Sequence, residues 1–151
     1  MIAMKEIIGN LDISTLPAEH QANLKILLEK INKVRAAWNK PMTVTSGYRS
    51  VADQMRINPK APKSGHLAGA CVDISDPNGD LRNWILSNLE LMKSIGFWFE
   101  DFRYTKGWVH FSINPPASKK RIFIPIAEPP PHPELWDGKY DLKYDVYIPN
   151  N

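Results

Sequence analysis

Ser64-Gly65-His66-Leu67-Ala68-Gly69-Ala70-Cys71-Val72-Asp73 is the stretch around which the chain is organised. A histidine and an aspartate stand seven positions apart, with Gly65 just before the histidine and Gly69 between the two, and the acid sits in an apolar, β-like run over 70–74. A loop that turns into a strand in this way offers two metal ligands from one short segment. A catalytic zinc takes three protein ligands, imidazole or carboxylate, and keeps its fourth position for water, so a third ligand must come from elsewhere. Trp108-Val109-His110-Phe111 carries an imidazole that would complete the set. Gly65 and Gly69 let the backbone turn tightly where a side chain would crowd the ion. Asp73 is expected at the end of its strand, on a rigid support.

His66 alone would read as an ordinary surface or core histidine; its context changes that. The order Ser-x-His-x-x-Gly-x-(small)-x-Asp, preceded by Ser46-Gly47-Tyr48-Arg49-Ser50 and followed by Trp-x-His, resembles the M15 zinc peptidases. These are D-Ala-D-Ala carboxypeptidases and phage endolysin-like enzymes, with relatives among the D-Ala-D-Ala dipeptidases of the vancomycin-resistance type. Three separated motifs occur in the family's order across residues 15–115. The resemblance implies Zn2+ held by His66, Asp73 and His110, and a peptide of the peptidoglycan stem as substrate. It also implies that Arg49 contacts the substrate and the developing oxyanion. A fixed guanidinium aimed at growing negative charge in a water-poor cleft favours the transition state over the ground state. Ser46, Tyr48 and Ser64, in the same two motifs, are expected to line the substrate's path.

The general base departs from the family pattern. Several members place a glutamate three residues before the last histidine, where this chain has Gly107. Glu100 and Asp101 are the acids of the preceding strand, and they point to opposite faces, so at most one looks into the cleft. Glu100 is preferred for its reach through a water molecule, but the register that would decide is not readable. Cys71 shares a face with Asp73 and stands where the family usually has alanine. It is either a small buried filler, the preferred reading, or a thiol near enough to the metal to bind it.

A chain of 151 residues suits one domain with a real core. Its net charge of +3 is spread without any block of like charge, which fits an anionic wall polymer and does not call for nucleic acid. A lone cysteine excludes an intrachain disulfide. The N-terminus lacks a long apolar region and no stretch approaches a membrane span, so synthesis in the cytoplasm is expected, with action at the cell wall after release by another agent, or on a virion.

In chain order, Leu24, Leu27, Leu28, Ile31, Val34 and Trp38 predict an amphipathic helix over 17–39, started by Ser14 or Thr15 and stopped by Pro41. A short strand over 41–46 and a short helix over 51–57 follow. Leu81, Trp84, Ile85, Leu89 and Met92 predict a second main helix ending at Gly96, packed on the sheet face away from the metal. Residues 97–102 and 107–113 read as a hairpin whose second strand puts Val109, Phe111 and Ile113 on one face and Trp108, His110 and Ser112 on the other. Trp108 would then give the substrate a flat wall beside the metal, or simply half-exposed sheet packing. A short strand at 121–125 precedes the proline run 129–133, which favours an extended conformation. His20 and His132 have no partners at ligand spacing and are read as solvated.

The expected fold is therefore α+β: a small, mainly antiparallel sheet flanked by two main helices, a metal cleft on one sheet face, and an extended C-terminal arm. Residues 1–127 would form the peptidase domain and 128–151 a proline-rich linker and arm, open to self-association or a virion partner. The expected reaction is zinc-assisted hydrolysis of stem peptides. Two rivals stand beside it: a catalytically impaired relative serving as a binding or structural module of a phage particle, and an iron oxygenase with a two-histidine, one-carboxylate site. The chain is too short, with too few strands, for the oxygenase's barrel.

Overall fold

The computed structural model describes residues 1–57, 65–116, 119–123, 139–141 and 146–148. Helix α1 (Met4–Ile8) buries Ile7 and Ile8, and helix α2 (Ala18–Trp38) buries Leu24, Leu27, Ile31 and Val34 along one stripe. The expected start signal belongs to something else. Ser14 and Thr15 form their own 3-10 turn (Ile13–Thr15), whose Ser14 amide is capped by Asp12, and α2 begins after Pro17 without a side-chain cap. Asn39 ends α2 in the left-handed region at φ 55, its amide bonded to the Arg35 carbonyl. Strand β1 (Val44–Ser46), helix α3 (Val51–Ile57) and a 3-10 turn (Gly65–Ala68) lead into strand β2 (Cys71–Asp76).

The second helical segment is two helices, α4 (Asp80–Ser87) and α5 (Leu89–Ile95). Asn88 breaks it. Its side-chain amide donates to the Trp84 carbonyl at 2.8 Å, competing with helical backbone bonding as short polar side chains do. The start of α4 is fixed from the sheet, because the Asp76 carboxylate accepts from the amides of Leu81 and Arg82, both at 3.0 Å.

Strands β3 (Trp98–Glu100), β4 (Gly107–Ser112) and β5 (Ile122–Phe123) complete a five-stranded sheet ordered β1-β2-β4-β3-β5. Its first three pairings are antiparallel; β5 joins β3 in parallel, making the sheet mixed at that edge. The described C-terminal pieces are two strands, β6 (Lys139–Asp141) and β7 (Val146–Ile148), paired antiparallel.

One face of the sheet is oily and the other is not. Val72, Ile74, Phe99, Val109 and Phe111 are fully buried in one cluster with the apolar stripes of α2, α4 and α5. Phe97, Phe99 and Phe111 meet with ring centroids 5.0–6.5 Å apart. The side chains alternating with these stand on the opposite face, away from α4 and α5 as expected.

A bulge brings β1 into that second face. Val44 pairs with Ile74 but Ser46 pairs with Asp73, so Thr45 is the extra residue. Without it Ser46 would share the core face with Val44; with it Ser46 stands beside Asp73. The loop that follows is pinned against α1, where the Tyr48 amide donates to the Ile7 carbonyl at 2.9 Å. A Cβ on Gly47 would lie 2.1 Å from that same oxygen. Gly47→Ala is therefore expected to destabilise the protein by about 1–3 kcal/mol, the usual cost of overpacking, seen as a lower midpoint in thermal unfolding.

Candidate metal centre

Asp73 stands in the middle of β2, not at its end, and its position there fixes its neighbours. β2 and β4 pair so that Asp73 lies opposite His110, and on the other side Ser46 lies opposite Asp73. The hairpin register, Trp98 with Ser112 and Phe99 with Phe111, carried one pair further sets Glu100 opposite His110. One row across four strands thus reads Ser46, Asp73, His110, Glu100. His66 reaches the row from the 3-10 turn above β2.

The His66 Nδ1 lies 2.8 Å from the Gly47 carbonyl oxygen. A carbonyl can only accept, so Nδ1 carries a proton there and Nε2 is the ring nitrogen turned to the site. That Nε2 is 3.4 Å from Asp73 Oδ2, and His110 Nδ1 is 2.8 Å from Asp73 Oδ1. Ligand atoms of His66, Asp73 and His110 all lie within 4.8 Å of one another. A tetrahedral ion with bonds of about 2.0–2.2 Å holds its donors roughly 3.4 Å apart, so shifts on the order of 1 Å close the cage. Two imidazoles and a carboxylate are a donor set suited to zinc.

Electrostatics keep the three groups together. Burial opposes charge on Asp73, but hydrogen bonds from His110 and His66 outweigh it and hold the carboxyl far below its usual range. Burial likewise opposes a charged His110, yet its bonds to Asp73 and the nearby Cys71 thiol push it up to about 10. Metal-free, the site is an ion pair, and a metal must displace the His110 proton to bind. Burial, followed by the charges of Asp73 and Asp101, raises Glu100 despite the opposing pull of His110.

Arg49 is at the edge of the row. Its Nη2 is 3.9 Å from Asp73 Oδ2, and its backbone amide donates to the His66 carbonyl at 3.1 Å. Trp108 stands on the same face as His110, opposite Ser75, and is 37% exposed. Other expected site residues go elsewhere. Asp101 is 1% exposed and gives both carboxylate oxygens to Arg103, at 2.9 Å to Nε and 2.7 Å to Nη2. Tyr48 packs its ring against the core and places its hydroxyl 3.0 Å from His20 Nδ1, so His20 is partnered and not simply solvated. Ser64 and His132 lie outside the described residues.

Sequence reasoning missed the groups behind the ligands. Asn23 of α2 donates to the Ala68 carbonyl at 3.0 Å, holding the turn that carries His66. Gly65 makes room for Cys71, since a Cβ there would lie 2.2 Å from its Sγ. A glycine one residue before a histidine ligand was the available signal for that close approach.

Two imidazoles and a carboxylate thus converge on one face of a mixed sheet, a group that could hold a metal ion. Residues 3–112, more than two thirds of the chain, match the Peptidase M15 family, and the chain belongs to it, a metallopeptidase of the M15 kind. Neither curated proteins nor solved structures give a match. No described helix is long and apolar enough to cross a membrane.

Two outcomes are expected. Gly65→Ala disturbs the turn beneath His66 and weakens zinc binding in chelator competition, whereas the double variant Gly65→Ala with Cys71→Ala regains most of the loss, because the second change removes the clashing sulfur. Metal-free protein should also show a defined pH profile. The raised His110 contributes stability in full below 6.5 and loses it as pH climbs through about 10. The depressed Asp73 contributes above 3.8 and loses it as pH falls. Thermal unfolding in chelator should therefore give midpoints that fall on the alkaline side; a flat line from neutral pH to pH 10 contradicts the ion pair.

Proposed function

We propose that the protein is a zinc peptidase acting on the stem peptide of bacterial peptidoglycan, as a D-Ala-D-Ala carboxypeptidase or an endopeptidase, with His66, Asp73 and His110 as the metal ligands. The observation that carries the reading is the single row of Asp73, His110 and Glu100 on the open sheet face, with Arg49 at its edge. Zinc bound there supplies a Lewis acid for the scissile carbonyl and a more acidic water.

The chain's own groups supply the rest. Glu100 takes the proton of the attacking water and returns it to the leaving amine; its raised pKa brings it nearer the range a general base needs. Asp101, tied to Arg103, holds the β3–β4 turn instead. Arg49 donates to the oxyanion as it forms, and burial of the site strengthens that contact. Trp108, half-exposed beside the row, offers the substrate an amphipathic wall.

Zinc-loaded protein should release peptides or terminal D-alanine from purified walls, and mass spectrometry of the fragments separates the two kinds of cut. Glu100→Gln should lower kcat by about 10²–10⁴-fold, the range for loss of a positioned general base, with its zinc content unchanged. Wall digestion indifferent to Glu100→Gln would defeat the assignment of the base. Zinc-loaded protein that binds walls without cutting them would point to the non-catalytic relative.

A further inference from the structure

Ser46 stands in the catalytic row, yet its hydroxyl is already engaged. Arg49 Nε donates to Ser46 Oγ at 3.0 Å and Arg49 Nη2 donates to the same oxygen at 2.8 Å. Two donors from one edge of the guanidinium occupy both lone pairs of the hydroxyl, leaving it no acceptor site for a substrate amide. The geometry points to Ser46 as the positioning residue for Arg49, the group that sets the plane and rotation of the guanidinium at the metal site, rather than a substrate contact. This inference rests on the peptidase reading above, because it concerns how Arg49 is aimed for that reaction.

The physical need is clear from the side chain. Arginine is long and samples many rotamers, and freezing them costs entropy. An oxyanion exists only in the transition state, so a donor that must find it then contributes less than one already in place. Arg49 is held at both ends: its backbone amide bonds to the His66 carbonyl, and its head group converges on Ser46. The bulge at Thr45 is what makes the second hold possible, since a regular β1 would turn Ser46 into the core. Both holds begin from residues that also support the ligands, so the guanidinium and the metal cage share one frame.

The test uses the zinc-loaded full chain with Ser46→Ala, Ser46→Thr and Arg49→Ala, and wild-type controls. Ser46→Ala should lower kcat by about 10–100-fold with KM within about threefold, less than the roughly 10²–10³-fold cost of deleting an oxyanion donor. Ser46→Thr, which keeps the oxygen, should restore most of the rate. In the Arg49→Ala background, Ser46→Ala should change kcat by less than about twofold, because a residue that acts only through another shows no separate effect once that partner is gone.

A direct readout is the Arg49 Nε–H resonance in nitrogen-15 spectra. In wild-type protein it should exchange slowly with solvent, and in Ser46→Ala it should exchange fast. A KM effect that persists without Arg49 makes Ser46 a substrate contact and overturns the inference. So does an Nε–H signal unaltered in Ser46→Ala, whatever the catalytic result. Wild-type protein without peptidase activity sinks the peptidase reading, and the resonance then decides the Ser46 contact by itself.

Discussion

Among the described residues, the carboxylate of Asp73 is the anion on which the basic groups of the site converge. His110 bonds one oxygen, while His66 and Arg49 approach the other. A nearly buried anion is tolerable only where such partners repay its lost hydration. Asp73 sits mid-strand on β2, so its position is set by backbone ladders on both sides and not by a flexible loop. The rest of the arrangement depends on that rigidity: β4 delivers His110 by pairing, the 3-10 turn delivers His66 from above, and the β1 loop delivers Arg49. Remove the anion and two imidazoles and a guanidinium would share a small, poorly hydrated space.

Two local devices convert an ordinary sheet into that arrangement. Thr45 adds one residue to β1 and so moves everything after it to the opposite face. Asn88 splits a helical stretch in two, and α4 and α5 bury Leu81, Ile85, Leu89 and Met92 in the same core. Neither change alters the hydrophobic pattern that drives folding. Each redirects the chain at one point, and the apolar side chains on either side of it still reach the core.

Periodicity and motif made much of this legible. The stripe of α2, the bounds of α3 and the alternation of β4 follow from spacing that secondary structure imposes on side chains, and the motifs pointed to His66, Asp73 and His110, which the fold brings together. What could not be read depended on register or on contacts between distant segments. Between Glu100 and Asp101 only the longer reach of glutamate favoured the first, until the hairpin register, centred on Thr105, set it beside His110 and the Arg103 guanidinium claimed the second. Ser46 and Tyr48 looked alike as members of one motif, but the bulge turns the first towards Asp73 and packing draws the second towards His20. The parallel pairing of β5 left no trace in a two-residue strand.

The acceptor that orients His66 is a main-chain oxygen, and this has an evolutionary consequence. A side-chain acceptor can be lost in one codon change, but the Gly47 carbonyl remains under any substitution there. Drift can only tilt it, by altering how the chain lies against the first helix. The acceptor for the imidazole thus survives any side-chain change, and selection acts on its orientation through how closely the Gly47–Tyr48 backbone lies against the Ile7 carbonyl.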